Sequence, residues 1–206
     1  MDPKAILNKV KSHTPTILGS RQFATYAVLV PLVEKDDELH VLFEVRSHQM
    51  RRQPGETSFP GGKIDAKDSG EKEAAIRETV EELGVNEKDI TGVHPLDYIV
   101  SPFGMIVYPY VGILDAASRL HPNPAEVEET FLVPLSFFKE TKPSVHYVHL
   151  DLQPAEDFPY DLIIGGENYK WRARSLEELF YVYDDKVIWG LTAKIVTHFI
   201  ELIFEK

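Results

Sequence analysis

Apolar residues along the chain recur at spacings that predict alternating strands and helices. Ile6, Leu7 and Val10 repeat at helical spacing within about residues 2–12, and Pro3 sits in the first turn, where its missing N–H costs nothing. A linker with Pro15 and Gly19 follows. The run Ala24 to Val33 is almost wholly apolar, breaks at Glu34–Glu38, and resumes at Leu39 to Val45, which predicts two strands joined by a polar loop. Farther on, Ile76, Val80 and Leu83 fall at i, i+4 and i+7, one face of a helix. Ile90 to Val100 and Met105 to Leu114 read as strands around a Ser-Pro-Phe-Gly turn, with Pro95 and Pro109 marking edges or irregularities. A proline-rich acidic loop spans Leu120 to Glu129, and Phe131 to Leu135 closes it. Ser144 to Leu152 alternates as a strand. Leu162–Ile164 and Tyr169–Arg172 flank Gly165-Gly166-Glu167-Asn168 and predict a hairpin. A mostly apolar segment from about Val187 to Phe204, with a polar stripe through Lys194, His198 and Glu201, predicts a C-terminal helix packed along most of its circumference.

The helix carrying Ile76, Val80 and Leu83 also carries Glu78, Glu81 and Glu82. At about 100° per residue these acids project from roughly the opposite side and lie close together. Asp68, with Glu71 three residues on, has the spacing of a capping box, and Gly84 stands where a left-handed C-terminal residue is often required. Gly61 and Gly62 precede the helix and suit a sharp bend or a close approach to a ligand. Clustered carboxylates repel by only a few tenths of a kcal/mol per pair on a wet surface, so a solvated acidic helix accounts for the three glutamates taken alone.

The order of residues around them adds more. Arg77-Glu78-Thr79-Val80-Glu81-Glu82-Leu83-Gly84-Val85 after a glycine loop resembles the second half of the Nudix box of the Nudix hydrolases. The first half departs from it: fourteen residues separate Gly62 from Arg77, one more than in the general box, and Asp68 or Ser69 stands where an early glutamate is expected. Upstream, Arg46-Ser47, Arg51, Gly55 and Phe59-Pro60-Gly61-Gly62 keep the spacing of the signature of the family's coenzyme A branch. The Leu-Leu-Thr that usually leads into it is only partly kept, as Leu42-Phe43-Glu44. Ile188 to Ala193 is similar to the C-terminal segment of that branch.

The resemblance implies a Nudix fold, an α/β/α sandwich around a mixed β-sheet, with the Nudix box at 62–85. It also implies a Mg²⁺- or Mn²⁺-dependent diphosphatase acting on coenzyme A or its thioesters. Glu78 and Glu82 would be metal ligands, with Glu81 a bridging ligand or general base. Arg46 and Arg51 would meet substrate phosphates, since guanidinium forks suit phosphate oxygens. Gly61, Gly62, Arg77 and Gly84 would shape the motif, with Arg77 orienting the carboxylates or tying loop to helix. One acid of the 120–129 loop, among Glu126, Glu128 and Glu129, would add a ligand or base. The alternatives are another diphosphate substrate (ADP-ribose, NADH, FAD or a nucleoside triphosphate) or a non-catalytic nucleotide sensor.

Composition narrows the classes. At 206 residues the chain is most simply one domain, and its 43% hydrophobic and 27% charged residues are those of a globular protein. A net charge of −11 argues against nucleic-acid binding and leaves an anionic small-molecule substrate in need of cations and local arginines. The absence of cysteine excludes thiolate chemistry and fits a cytoplasmic protein. The N-terminal residues show no secretory apolar region, and no apolar run spans a bilayer. Monomer and homodimer both stay open.

Overall fold

The computed structural model describes residues 2–115, 119–172 and 174–204. Helix α1 (Pro3–Lys11) is capped by Asp2, whose side chain accepts from the Lys4 amide, and it buries none of its residues. Strand β1 (Ala24–Lys35) turns through Asp36 and Asp37, both at positive φ, into β2 (Glu38–Arg46). Two consecutive left-handed residues give the tight hairpin turn that matches strand twist. Then come β3 (Thr57–Ser58), β4 (Gly61–Lys63), helix α2 (Glu71–Leu83), β5 (Ile90–Pro95), β6 (Ile99–Ser101), β7 (Met105–Leu114) and β8 (Val127–Pro134). Helix α3 (Leu135–Glu140), β9 (Ser144–Leu150), β10 (Arg174–Tyr183), β11 (Lys186–Trp189) and α4 (Gly190–Phe204) complete the order.

The main sheet is mixed: β1 runs parallel to β7, while β2, β4 and their other neighbours pair antiparallel. Pro109 lies within β7, between β1 and β5, so it marks an irregularity rather than an edge, at the break between the pairings of β7 with β5 and with β6. The expected strand from Ile90 to Val100 is two strands, β5 and β6, broken at 96–98, where the Leu96 amide donates to the Pro109 carbonyl. Strands β1 and β2 pair only from Leu32 and Val41 toward the turn. Below that they part, and the segment 57–63 enters the fork: β3 pairs with β2, β4 with β1, and the Leu29 amide donates to the Pro60 carbonyl.

Period-2 alternation sends side chains to two cores. Leu29, Val33 and Leu42 pack with Leu83 on the α2 face. Val30, Val41 and Phe43 pack with Phe138, Tyr181, Val196 and Phe199 on the face of α3, α4 and β10. Phe43 anchors that side, stacking on Phe59 at 4.9 Å and Phe131 at 5.5 Å between ring centroids. The result is the expected three-layer α/β/α sandwich.

Two expectations need correction. The C-terminal helix begins at Gly190 rather than Val187, because β-branched Val187 and Ile188 pair with β10 and Gly190, at φ +60°, turns the chain out of the strand. Its last turn, with Leu202, Ile203 and Phe204, is exposed rather than packed. The segment 160–172 is no hairpin. It makes short helical turns at Tyr160–Leu162 and Gly166–Asn168, held by edge-on contacts among Phe158, Tyr160, Tyr169 and Trp171. The hairpin nearby is instead β10–β11, turning at Asp184–Asp185.

Candidate active site

Helix α2 lies close to the sheet because its inward positions are small: Ala74 and Ala75 pack on Ala27 of β1. Gly84 ends the helix at φ +63°, and its amide donates to the Val80 carbonyl at 3.0 Å. A side chain there would also run into the His121 carbonyl. Beyond the cap, the Leu83 and Glu82 carbonyls accept from the amides of His121 and Asn123, so the acidic loop is tied to the C-terminus of α2. The Ser47 amide donates to the Glu126 carbonyl at 2.8 Å, which ties the same loop to the end of β2. Three chain segments thereby converge on the Phe59–Gly62 turn.

The helix glutamates do not form one outward cluster. Glu82 points inward and is only 4% exposed; its carboxylate accepts from the Gly61 amide at 2.7 Å. Glu78 lies over Gly62, where a Cβ would stand 2.5 and 2.6 Å from its two carboxylate oxygens. Glu81 is the exposed one, held at 3.2 Å by Arg77. Among the described residues, no three acidic or histidine side chains are already drawn together as a coordination shell.

Arg77 organises this side. Its Nε and Nη2 donate to the two oxygens of Asp68 at 2.8 and 3.0 Å, Nη1 reaches Glu78 at 2.8 Å, and Nη2 reaches the Lys63 carbonyl at 3.4 Å. Asp68 therefore does not cap α2, which starts at Glu71 behind Gly70. Asp68 instead receives the Asp65 amide and the arginine fork, and the guanidinium holds its carboxyl down at about 2.

The residue that sequence reasoning passed over is Glu44. It shares a face with Leu42, yet it is 0% exposed. Ser58 Oγ donates to its Oε1 at 3.0 Å, while Oε2 is buried with no partner among the described residues. Burial pushes its pKa to about 7, with Glu126 and Glu78 adding to the rise and Ser58 and Arg46 opposing it. Glu82 is raised by burial and then by the negative charge of Glu44, against the pull of the Gly61 amide. Glu78 is raised by burial, with Glu81 and Glu126 adding. The signal in the sequence was an acid inside the apolar run Val41 to Val45, on the face that alternation turns toward α2.

Four carboxylates, of Glu44, Glu78, Glu82 and Glu126, thus share one field. Glu128 is exposed and Glu129 pairs with Lys186 at 2.5 Å, so of the loop acids Glu126 faces the site. Arg46 is half-buried beside Glu44, and its Nε is buried without a partner among the described residues. Arg51 lies exposed in the 47–56 loop and makes no ion pair among the described residues. A cleft of about 660 Å³ runs along the other flank of α2, past Ile76, Val80, Glu81 and Tyr110, and does not include Glu44, Glu78 or Glu82. Hard divalent cations favour a donor set made of carboxylate oxygens beside a glycine turn. The orphaned Glu44 oxygen and the carboxylate lying in the space over Gly62 fit such an ion.

Among the described residues no helix is long and apolar enough to cross a membrane. A family model described as the NUDIX domain matches residues 24–153. The chain is 38% identical over 157 residues to the peroxisomal coenzyme A diphosphatase NUDT7 of Mus musculus, covering 76% of this chain and 65% of that protein. It is 34% identical over 170 residues to an uncharacterized Nudix hydrolase, NudL, of Photorhabdus laumondii, covering 82% and 80%. A MutT/nudix family protein of Enterococcus faecalis shares the fold, with a TM-score of 0.53 and 14% identity over 98% of this chain and 70% of that one.

Proposed function

This chain belongs to the Nudix hydrolase family, and from that premise we propose that it hydrolyses the diphosphate bond of coenzyme A or acyl-CoA. Water adds to one phosphorus and the P–O–P bond breaks. The products are 4′-phosphopantetheine, or its acylated form, and adenosine 3′,5′-bisphosphate. Members of the family generally use divalent metal ions; Mg²⁺ or Mn²⁺ suits the oxygen donors here, with Glu78 and Glu82 holding it. When bound, the ion neutralises diphosphate oxygens and acidifies water.

The chain's own residues have distinct parts. Arg46 stands half-buried beside Glu44, and its guanidinium fork is suited to a phosphate oxygen. Arg51 supplies a second cation from the exposed 47–56 loop. Arg77 is committed to Asp68 and Glu78, so it orients carboxylates rather than binding substrate. Glu81 or Glu126 takes the proton of the attacking water; Glu126 is the loop acid whose charge reaches Glu78 and Glu82.

The observation that carries the reading is that Glu82 and Glu78 meet the two glycines of one turn, with Arg46, from the Arg-Ser signature, beside Glu44 in the same acidic field. The likeness to the coenzyme A diphosphatase of Mus musculus supports the substrate, and the likeness to the bacterial NudL supports a cytoplasmic setting. The test compares rates on coenzyme A, ADP-ribose, NADH and FAD with Mg²⁺ or Mn²⁺ and identifies the products. Preference for coenzyme A is expected. Preference for ADP-ribose would move the substrate assignment, and binding without turnover would make the protein a sensor.

A further inference from the structure

Glu44 has a feature that the assigned roles leave unexplained. Its carboxylate is wholly buried, one oxygen is satisfied by Ser58, and the other has no partner among the described residues. An unmade hydrogen bond at a buried charged oxygen is costly, and native interiors rarely tolerate one. The groups around it are the wrong sign to help: Glu78, Glu82 and Glu126 add negative charge, and Arg46 is the nearby cation. Arg77 is occupied by Asp68, Glu78 and Glu81. Arg46 and an Arg77 shared among Asp68, Glu78 and Glu81 do not offset these carboxylates, whereas divalent cations that gather six or more oxygen ligands do.

Position agrees with this. Glu44 comes from β2, opposite Ser58 in the register that fixes the Phe59–Gly62 turn. Glu82 reaches the same turn from α2. The two side chains approach from the sheet and from the helix.

We infer that Glu44 gives its free carboxylate oxygen to divalent-cation binding, as a strand-borne partner of the helix acids Glu78 and Glu82. This rests on the proposal that the helix acids hold metal.

The probe is Mn²⁺ alone, with no substrate, followed by titration calorimetry and by the Mn²⁺ paramagnetic resonance signal. Wild type, Glu44→Gln, Glu44→Met and Glu78→Gln are compared, with circular dichroism and melting in chelator as controls. Both replacements at 44 remove a buried charge, so the metal-free fold is expected to persist or melt higher. Mn²⁺ affinity is expected to fall about tenfold or more in each. Affinity within twofold of wild type in both, while Glu78→Gln loses it, would overturn the inference and leave Glu44 a structural acid paired with Ser58 and Arg46. Unchanged affinity in all three variants would instead overturn the helix reading, and this inference with it.

Discussion

Replacing Gly62 by alanine adds one methyl group and changes no charge, yet it aims at a proposed metal ligand. The new Cβ would stand 2.5 and 2.6 Å from the two carboxylate oxygens of Glu78. Non-bonded atoms settle nearer 3.5 Å, so the carboxylate must withdraw by roughly 1 Å. Glu78 is the far end of a flexible side chain, and Gly62 is not among the positive-φ glycines, so the backbone accepts alanine. Stability is expected to change by no more than about 1 kcal/mol. Catalysis is expected to fall on the order of 100-fold, the scale of a 1 Å misplacement in a reacting assembly. The assay is metal-dependent coenzyme A hydrolysis set beside a thermal melt. Gly61→Ala is the contrasting control: its Cβ would strike the Ala27 carbonyl and Val28 Cα, which are backbone and cannot step aside, so that variant loses stability as well. Full activity in a folded Gly62→Ala protein would refute the placement of Glu78 at the reacting centre.

The buried acids predict a pH dependence in the metal-free protein. Burial raises Glu44 from 4.5 to about 7, so the folded state holds its proton more tightly than the unfolded chain across that interval. Stability is therefore fully present below about pH 4.5 and declines as pH rises toward 7, by about 3 kcal/mol if Glu44 acts alone. Glu82 adds in the same direction, and the lowered Asp68 titrates below the window. Denaturant melts in chelator at pH 5 and 7.5 measure this, and stability that climbs with pH would contradict it. Arg46→Ala is expected to lower kcat/KM for coenzyme A by about 10- to 100-fold, the loss of a charge-assisted hydrogen bond of about 1.5–3 kcal/mol. An unchanged value would remove Arg46 from the phosphate site.

Much of the architecture was legible because it is periodic. The apolar run of β1, the acid-rich helix ending at Gly84 and the alternation of β2 follow from spacing alone. The misreadings arose where tertiary contacts decide. A wheel centred on Ile76, Val80 and Leu83 puts Glu82 outside, but the face α2 turns inward runs through Ala75, Thr79 and Glu82, at i, i+4 and i+7, which carries the carboxylate to the Gly61 amide. Asp68 has cap spacing, but the Arg77 fork outcompetes the α2 amides for it. Val187 to Trp189 are as apolar as the helix that follows, and only pairing with β10 marks them as strand. Tyr169 to Arg172 has no partner strand among the described residues, and the glycines before it make turns rather than a hairpin. Glu44 could be seen as an acid in an apolar strand, but its orphaned oxygen and its neighbours across the fold could not.

The central claim is that the acids of α2 hold a cation against a pyrophosphate. It is tested most directly by assaying coenzyme A cleavage in purified Glu78→Gln and Glu82→Gln across a Mg²⁺ and Mn²⁺ titration, with the fold checked by circular dichroism. Wild type should release 4′-phosphopantetheine and adenosine 3′,5′-bisphosphate only with metal, and both folded variants should fail at every metal concentration. Near-normal metal-dependent cleavage by either variant would contradict the account.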